Sequence, residues 1–197
     1  MRVGASGPRG CTIALMDYED LARRIDAAGL ERRACVTEVR LRTFEQRHQL
    51  KLPPGYRRFL AELSDGITSE ELSILGLEEA EKIAGPIGEP FPYTNAYAKH
   101  ILERLLDSAE ISFSDVMGDP ALRARQVGSM PAGCLVLGDL GGGEMSVLVV
   151  AGEQAGFVWR VGDFDAPETN DLYADSGDGR QLDFDAWLEC WAKLSSV

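Results

Sequence analysis

Between residues 133 and 159 the chain reads GCLVLGDLGGGEMSVLVVAGEQAGFVW, and this stretch limits the fold more than any other. Three short runs rich in Val, Leu and aromatic residues (134–137, 145–151 and 157–161) are divided by turns of Gly, Asp, Glu and Gln, the pattern of an antiparallel meander. In the middle run Val147, Val149 and Ala151 point one way and Ser146, Leu148 and Val150 the other, so this strand is apolar on nearly both sides and sits at the centre. In the last run Phe157, Trp159 and Val161 share a face opposite Arg160, which predicts one wet side. The three glycines 141–143 precede a strand-like run, not a helix, so they are turn formers and not a phosphate cradle.

Helical periodicity surrounds this meander. Asp17 caps a helix whose stripe is Tyr18, Leu21, Ile25 and Ala28, closed by Gly29. Thr37 opens a second helix with Val39, Leu41, Phe44 and His48 as its apolar side, ending before Pro53. Pro54 begins a third, with Tyr56, Phe59, Leu60 and Leu63 facing inward up to Gly66. Residues 72–75 read as a first strand, 78–83 as a helical turn, 85–92 as a proline-rich connector and 95–109 as a helix, whereas 110–132 is weakly patterned. Asp183 caps a final helix in which Phe184, Trp187, Leu188, Trp191 and Leu194 recur at amphipathic spacing.

At 197 residues the chain can bury one sizeable core, and no run approaches the ~20 apolar residues that span a bilayer. The apolar patch 13–16 is too short for a signal-peptide core, so the reading is cytoplasmic, with no membrane partner. Cys11, Cys35, Cys134 and Cys190 are scattered and form no C-x-x-C pair; with His48 and His100 the only other soft donors, no metal or other cofactor is expected. Cys134 and Cys190 read as small buried apolar residues. No nucleophile elbow or zinc-hydrolase motif occurs, and the sequence presents no catalytic residues.

Charge is uneven. Residues 1–60 carry 12 Lys and Arg against 7 Asp and Glu, while 61–197 carry 8 against 25, giving +5 and -17 and together the net -12. An acidic body repels nucleic acid and attracts a basic protein; acidity that merely keeps the chain soluble is the plainer alternative. The Arg23, Arg24, Arg32 and Arg33 cluster lacks interleaved aromatics and reads as a solvated face or an internal partner for the acidic body. The strongest acidic concentration is Asp163, Asp165, Glu168, Asp171, Asp175 and Asp178. Their spacing is not that of an EF-hand, and they read as an exposed, mobile loop that is either solvated or partner-facing.

Two sets of residues resemble a known family. E-x6-E followed by L-K-L-P-P-G-Y-R-R-F-L-A-E-L-S-D-G, from Glu38 to Gly66, is similar to the opening of the SUKH superfamily, the family of the Smi-one/Knr-four wall-assembly regulators and many bacterial immunity proteins. Gly-Cys, a short strand, Gly-Gly-Gly-Glu and L-V-V-x-G-x-x-x-G-x-V-W resemble its sheet, and the Phe184/Trp187 helix its end. The resemblance implies a single α+β domain over residues 35–197, with a central antiparallel sheet of four to six strands, flanked by helices on one covered face. Residues 1–16, mostly Gly, Ala, Ser, Pro and Arg with little periodic signal, read as a disordered leader, with Met16 a candidate start before the first helix, and 17–34 as an N-terminal helical appendage. The resemblance also implies a non-enzymatic protein binder: an immunity protein that neutralises a toxin domain such as a nuclease, or alternatively a regulatory scaffold. An enzyme of small-molecule metabolism is a third reading that no motif supports.

Overall fold

The protein, seen in a computed structural model, is described at residues 16–69, 73–93, 130–141, 144–162, 168–169 and 181–194. Helix α1 (Tyr18–Ala27) starts where Asp17 Oδ1 accepts the backbone N–H groups of Glu19 and Asp20 at 3.0 and 3.1 Å. Helix α2 (Glu38–His48) is capped by Thr37 and stopped by Gln49 in the left-handed conformation. Pro54 opens α3 (Pro54–Arg58), which runs directly into a π-helical turn, Phe59–Leu63. Helix α4 spans Leu77–Ile83 and α5 spans Phe184–Leu194. The start of α5 is fixed by Asp183, whose Oδ1 accepts the Ala186 N–H at 2.9 Å.

Two antiparallel sheets occur among the described residues. The small one pairs β1 (Glu31–Arg32) with β2 (Ile67–Thr68). The larger is a four-stranded meander of β3 (Cys134–Gly141), β4 (Glu144–Val149), β5 (Val158–Gly162) and β6 (Glu168–Thr169), hydrogen-bonded in that order. Val147 stands opposite Val136 on one side and Trp159 on the other, so β4 is central as its double-sided apolar pattern requires. Residues 73–75 form no continuous strand. Ile74 exchanges backbone bonds with Ile67 at 2.9 and 2.8 Å, and Leu75 N–H donates to Leu137 O at 2.7 Å, which links the two sheets. The predicted helix at 95–109 lies outside the described residues, as does 110–129.

Alternation along the strands divides the core in two. Leu135, Leu137, Leu148, Val150 and Val158 face the helices, where they join Tyr56, Phe59, Leu60, Phe184, Trp187, Leu188 and Trp191. Cys134, Val136, Val147, Val149 and Trp159 face the other way and pack with Phe91 and Tyr93. The expected single covered face is therefore corrected to two, because the proline connector delivers Phe91 edge-on to Trp159 at 5.2 Å. The wet side expected of β5 is also narrower. Val158 is buried, and Arg160 on that side is half-buried, 3.5 Å from Glu144. In α2 the inward positions are Leu41, Phe44 and Glu45; Val39, expected on the apolar side, is 74% exposed.

Candidate functional site

The turn between α2 and α3 is organised by a carboxylate. Glu45 is only 3% exposed, and its Oε1 accepts the Leu52 backbone N–H at 3.1 Å. Its ion-pair partners are Arg57 at 3.4 Å and Lys51 at 3.3 Å, which supply the charge that a buried carboxylate needs. The chain then turns through Leu52 and Pro53 and delivers Tyr56 into the core, stacked on Phe59 and edge-on to Phe184. Farther along, Asp65 Oδ1 accepts the Leu77 N–H at 2.7 Å and so caps the distant helix α4. Gly66 follows at φ +98, where a Cβ would meet Ile74 O and Gly76 N at 2.8 Å; only glycine fits this close approach.

Among the described residues the basic side chains before residue 60 have carboxylate partners within the fold. Arg23 pairs with Asp20, Arg24 with Glu189, Arg32 with Asp26 and Arg33 with Glu79, so the sequence-stretch that could suggest a nucleic-acid patch has internal partners. Arg40, Arg42, Arg47, Lys51, Arg57 and Arg58 are paired as well. Such exposed pairs contribute about 0 to 1 kcal/mol each, and their consequence here is for surface potential more than for stability.

The acidic stretch after β5 is only partly placed. Asp163, Asp165, Asp171, Asp175 and Asp178 lie outside the described residues. Glu168 begins β6, in register with Arg160, while Thr169 stands opposite Trp159. The loop reading is thereby corrected at these two positions, where backbone pairing with β5 makes a short strand.

Between α2 and α4 lies a half-open groove of about 460 Å³ with Val39, Thr43, Phe44 and Leu77 along it. Arg40 reaches across it to Glu78 at 3.8 Å, and Arg47 to Glu81 at 2.7 Å. His48 Nε2 also lies 2.8 Å from Glu81 Oε1. Burial opposes ionisation of Glu81, but His48 and Arg47 outweigh it and hold its carboxyl below the usual range. These contacts tie α2 to α4. Among the described residues no group of three or more His, Cys, Asp or Glu could hold a metal ion. Burial pushes the Cys134 thiol up to about 12, so at neutral pH it is a packed thiol, donating to Pro131 O at 3.2 Å. Cys190 is half-buried against the helix-side core, Cys35 is exposed, and Cys11 and His100 lie outside the described residues. No helix of the described residues is long and apolar enough to cross a membrane.

The family model of the SMI1 / KNR4 family (SUKH-1) matches residues 35–189, more than three-quarters of the chain. The chain belongs to this family. No curated protein matches it. The SUKH match begins just before α2 and takes in Glu45, Tyr56, Asp65 and the meander, so the residues that resemble the family are those that hold the two turns and the sheet together. Sequence reasoning recognised these positions but missed the roles of Glu45 and Asp65. A lone acid amid an apolar stripe, seven residues before Leu52-Pro53, was the available signal for the first.

One further acid stands out. Asp185, in the first turn of α5, lies over Gly55, where a Cβ would come within 2.5 Å of its Oδ1. Burial and then the neighbouring Asp183 raise its carboxyl above the usual range, against the opposing pull of Arg58 and the Tyr18 hydroxyl. A carboxyl raised on folding binds its proton more tightly in the native state, so its ionisation costs stability above the folded pKa, and that cost disappears as pH falls below the unfolded value. Asp185→Asn is therefore expected to melt higher than wild type at pH 7, with the difference shrinking towards pH 4. Thermal scans across that range check it; a variant that melts lower at pH 7 contradicts it.

Proposed function

We propose that this SUKH-family protein is a non-enzymatic cytoplasmic binding protein, an immunity factor that captures and neutralises a basic toxin domain such as a nuclease. The carrying observation is where the charge lies. Asp163, Asp165, Glu168, Asp171, Asp175 and Asp178 fall in residues 163–178 with no Lys or Arg among them, a sum of -6 and so half of the net -12. Of that stretch, Glu168 and Thr169 pair with β5, so this part of the acidic run is joined to the sheet. The described arginines of the N-terminal part are occupied by carboxylates of the same chain and do little to offset it.

A basic nuclease presents the complementary potential because its substrate is a polyanion. An acidic segment speeds the encounter and, once seated, occupies the groove the substrate would enter. Native pull-down followed by expression of the captured protein tests this reading. The capture should be toxic alone and harmless when co-expressed with this chain; equal toxicity in both cases rejects it. A regulatory scaffold, the second reading, would instead yield several weak partners and no toxic one.

A further inference from the structure

The family match starts at residue 35, but the core starts earlier. Tyr18, Leu21 and Ile25 of α1 are at most 7% exposed and belong to the same helix-side core as Leu60, Trp187 and Leu188. Helix α1 touches both the π-helical turn and α5, two elements far apart in sequence. Near its start the Tyr18 hydroxyl donates to Gly55 O at 3.0 Å, and the Arg58 guanidinium lies 4.7 Å above the Tyr18 ring. Farther along, Arg24 donates to both carboxylate oxygens of Glu189 at 3.0 and 2.8 Å. One short helix thereby joins the opening of α3 to α5.

The residues after α1 supply hydrogen-bond partners to the matched part. Ser64 is fully buried, and its hydroxyl oxygen accepts the Arg33 backbone N–H at 2.9 Å. The same N–H lies 3.2 Å from Gly66 O, and Arg32 Nη1 donates to Leu63 O at 3.4 Å. Leu63 closes the π-helical turn, where carbonyls have no partner within the helix. Glu31 and Arg32 also pair with β2. A body without residues 17–34 would lose these donors and expose the apolar face that α1 covers, and each buried polar group left unmatched costs stability.

We propose that residues 17–34 are a strap built into the domain and not an appendage to it: they tie α3 to α5, and the SUKH body of this chain folds and unfolds only together with them. A helix of ten residues does not persist alone in water, so α1 owes its order to this packing as much as the body owes its closure to α1. The strap is separate from the acidic segment, and its test does not depend on what that segment binds.

Native-state hydrogen exchange on the full chain checks this. Amides in the middle of α1 and in β4 should become exchangeable in one event, and Leu21→Ala, by leaving a cavity in the shared core, should raise both rates by the same factor, on the order of 100-fold. Arg24→Glu should speed both several-fold, and adding Glu189→Arg to it should restore both. A Leu21→Ala chain that has lost its cooperative melt gives the same answer, since loss of an appendage leaves the body intact. The proposal is overturned by α1 rates that rise in Leu21→Ala while β4 rates stay at the wild-type level, or by an Arg24→Glu chain in which α1 alone opens faster.

Discussion

A chain ending at residue 183 is expected to show no cooperative thermal transition. Phe184, Trp187, Leu188 and Trp191 are each at most 2% exposed and close the helix-facing side of the sheet over Leu148 and Val158. Burial contributes on the order of 2 kcal/mol for each such side chain, about 8 kcal/mol for the four, which matches or exceeds much of the 5 to 15 kcal/mol by which a domain of this size is stable. The truncation also uncovers Tyr56 and Phe59, whose rings meet Phe184 at 5.1 and 5.5 Å. Trp187→Ala alone should cost about 3 to 5 kcal/mol, and urea titration of that variant measures it. A fragment 1–183 that still melts in one sharp step would show that the sheet is held by something other than α5.

Glu45→Ala is the second large effect, expected to destabilise by about 1 to 3 kcal/mol although it removes a charged residue. The loss is one of partners. Without the carboxylate the Leu52 N–H is buried unpaired, and Arg57 keeps only Glu38, at 2.7 Å. Glu45→Gln retains an acceptor for Leu52 and should recover part of the stability. If denaturant melts place alanine within 1 kcal/mol of wild type, the turn is held by Leu52 and Pro53 packing alone.

These two effects differ in how far the sequence announces them. The tail helix is legible because Phe184, Trp187, Leu188 and Trp191 repeat at helical spacing, and the meander because Val147 and Leu148 alternate between two apolar faces. Caps at Asp17, Thr37 and Asp183 follow from local chemistry and appear where expected. Glu45 is a different case. Periodicity marks it as an inward position, but hydrophobicity marks it as surface, and only the distant Arg57 and the turn at Leu52 decide between them. Val39 is its mirror image, an apolar side chain exposed because α2 turns its Leu41 and Phe44 face to the core.

The shortest strands carry no sequence signal. Glu31–Arg32 and Glu168–Thr169 are too brief to alternate, and each is strand only because a neighbour reached through the fold supplies hydrogen bonds. Of the candidate site, composition alone disclosed the acidic run. That it is stitched to the sheet at Glu168 is a tertiary fact.

In the proposed function the acidic segment is what meets a basic partner. Its most direct test is the association rate of the captured protein with wild type and with a full-length variant carrying Asn at 163, 165, 171, 175 and 178 and Gln at 168, across a range of salt. Steering by this segment predicts that neutralising it slows association at low salt by about 10-fold or more and flattens the salt dependence. A variant that associates as fast as wild type, with the same dependence on salt, would contradict the account.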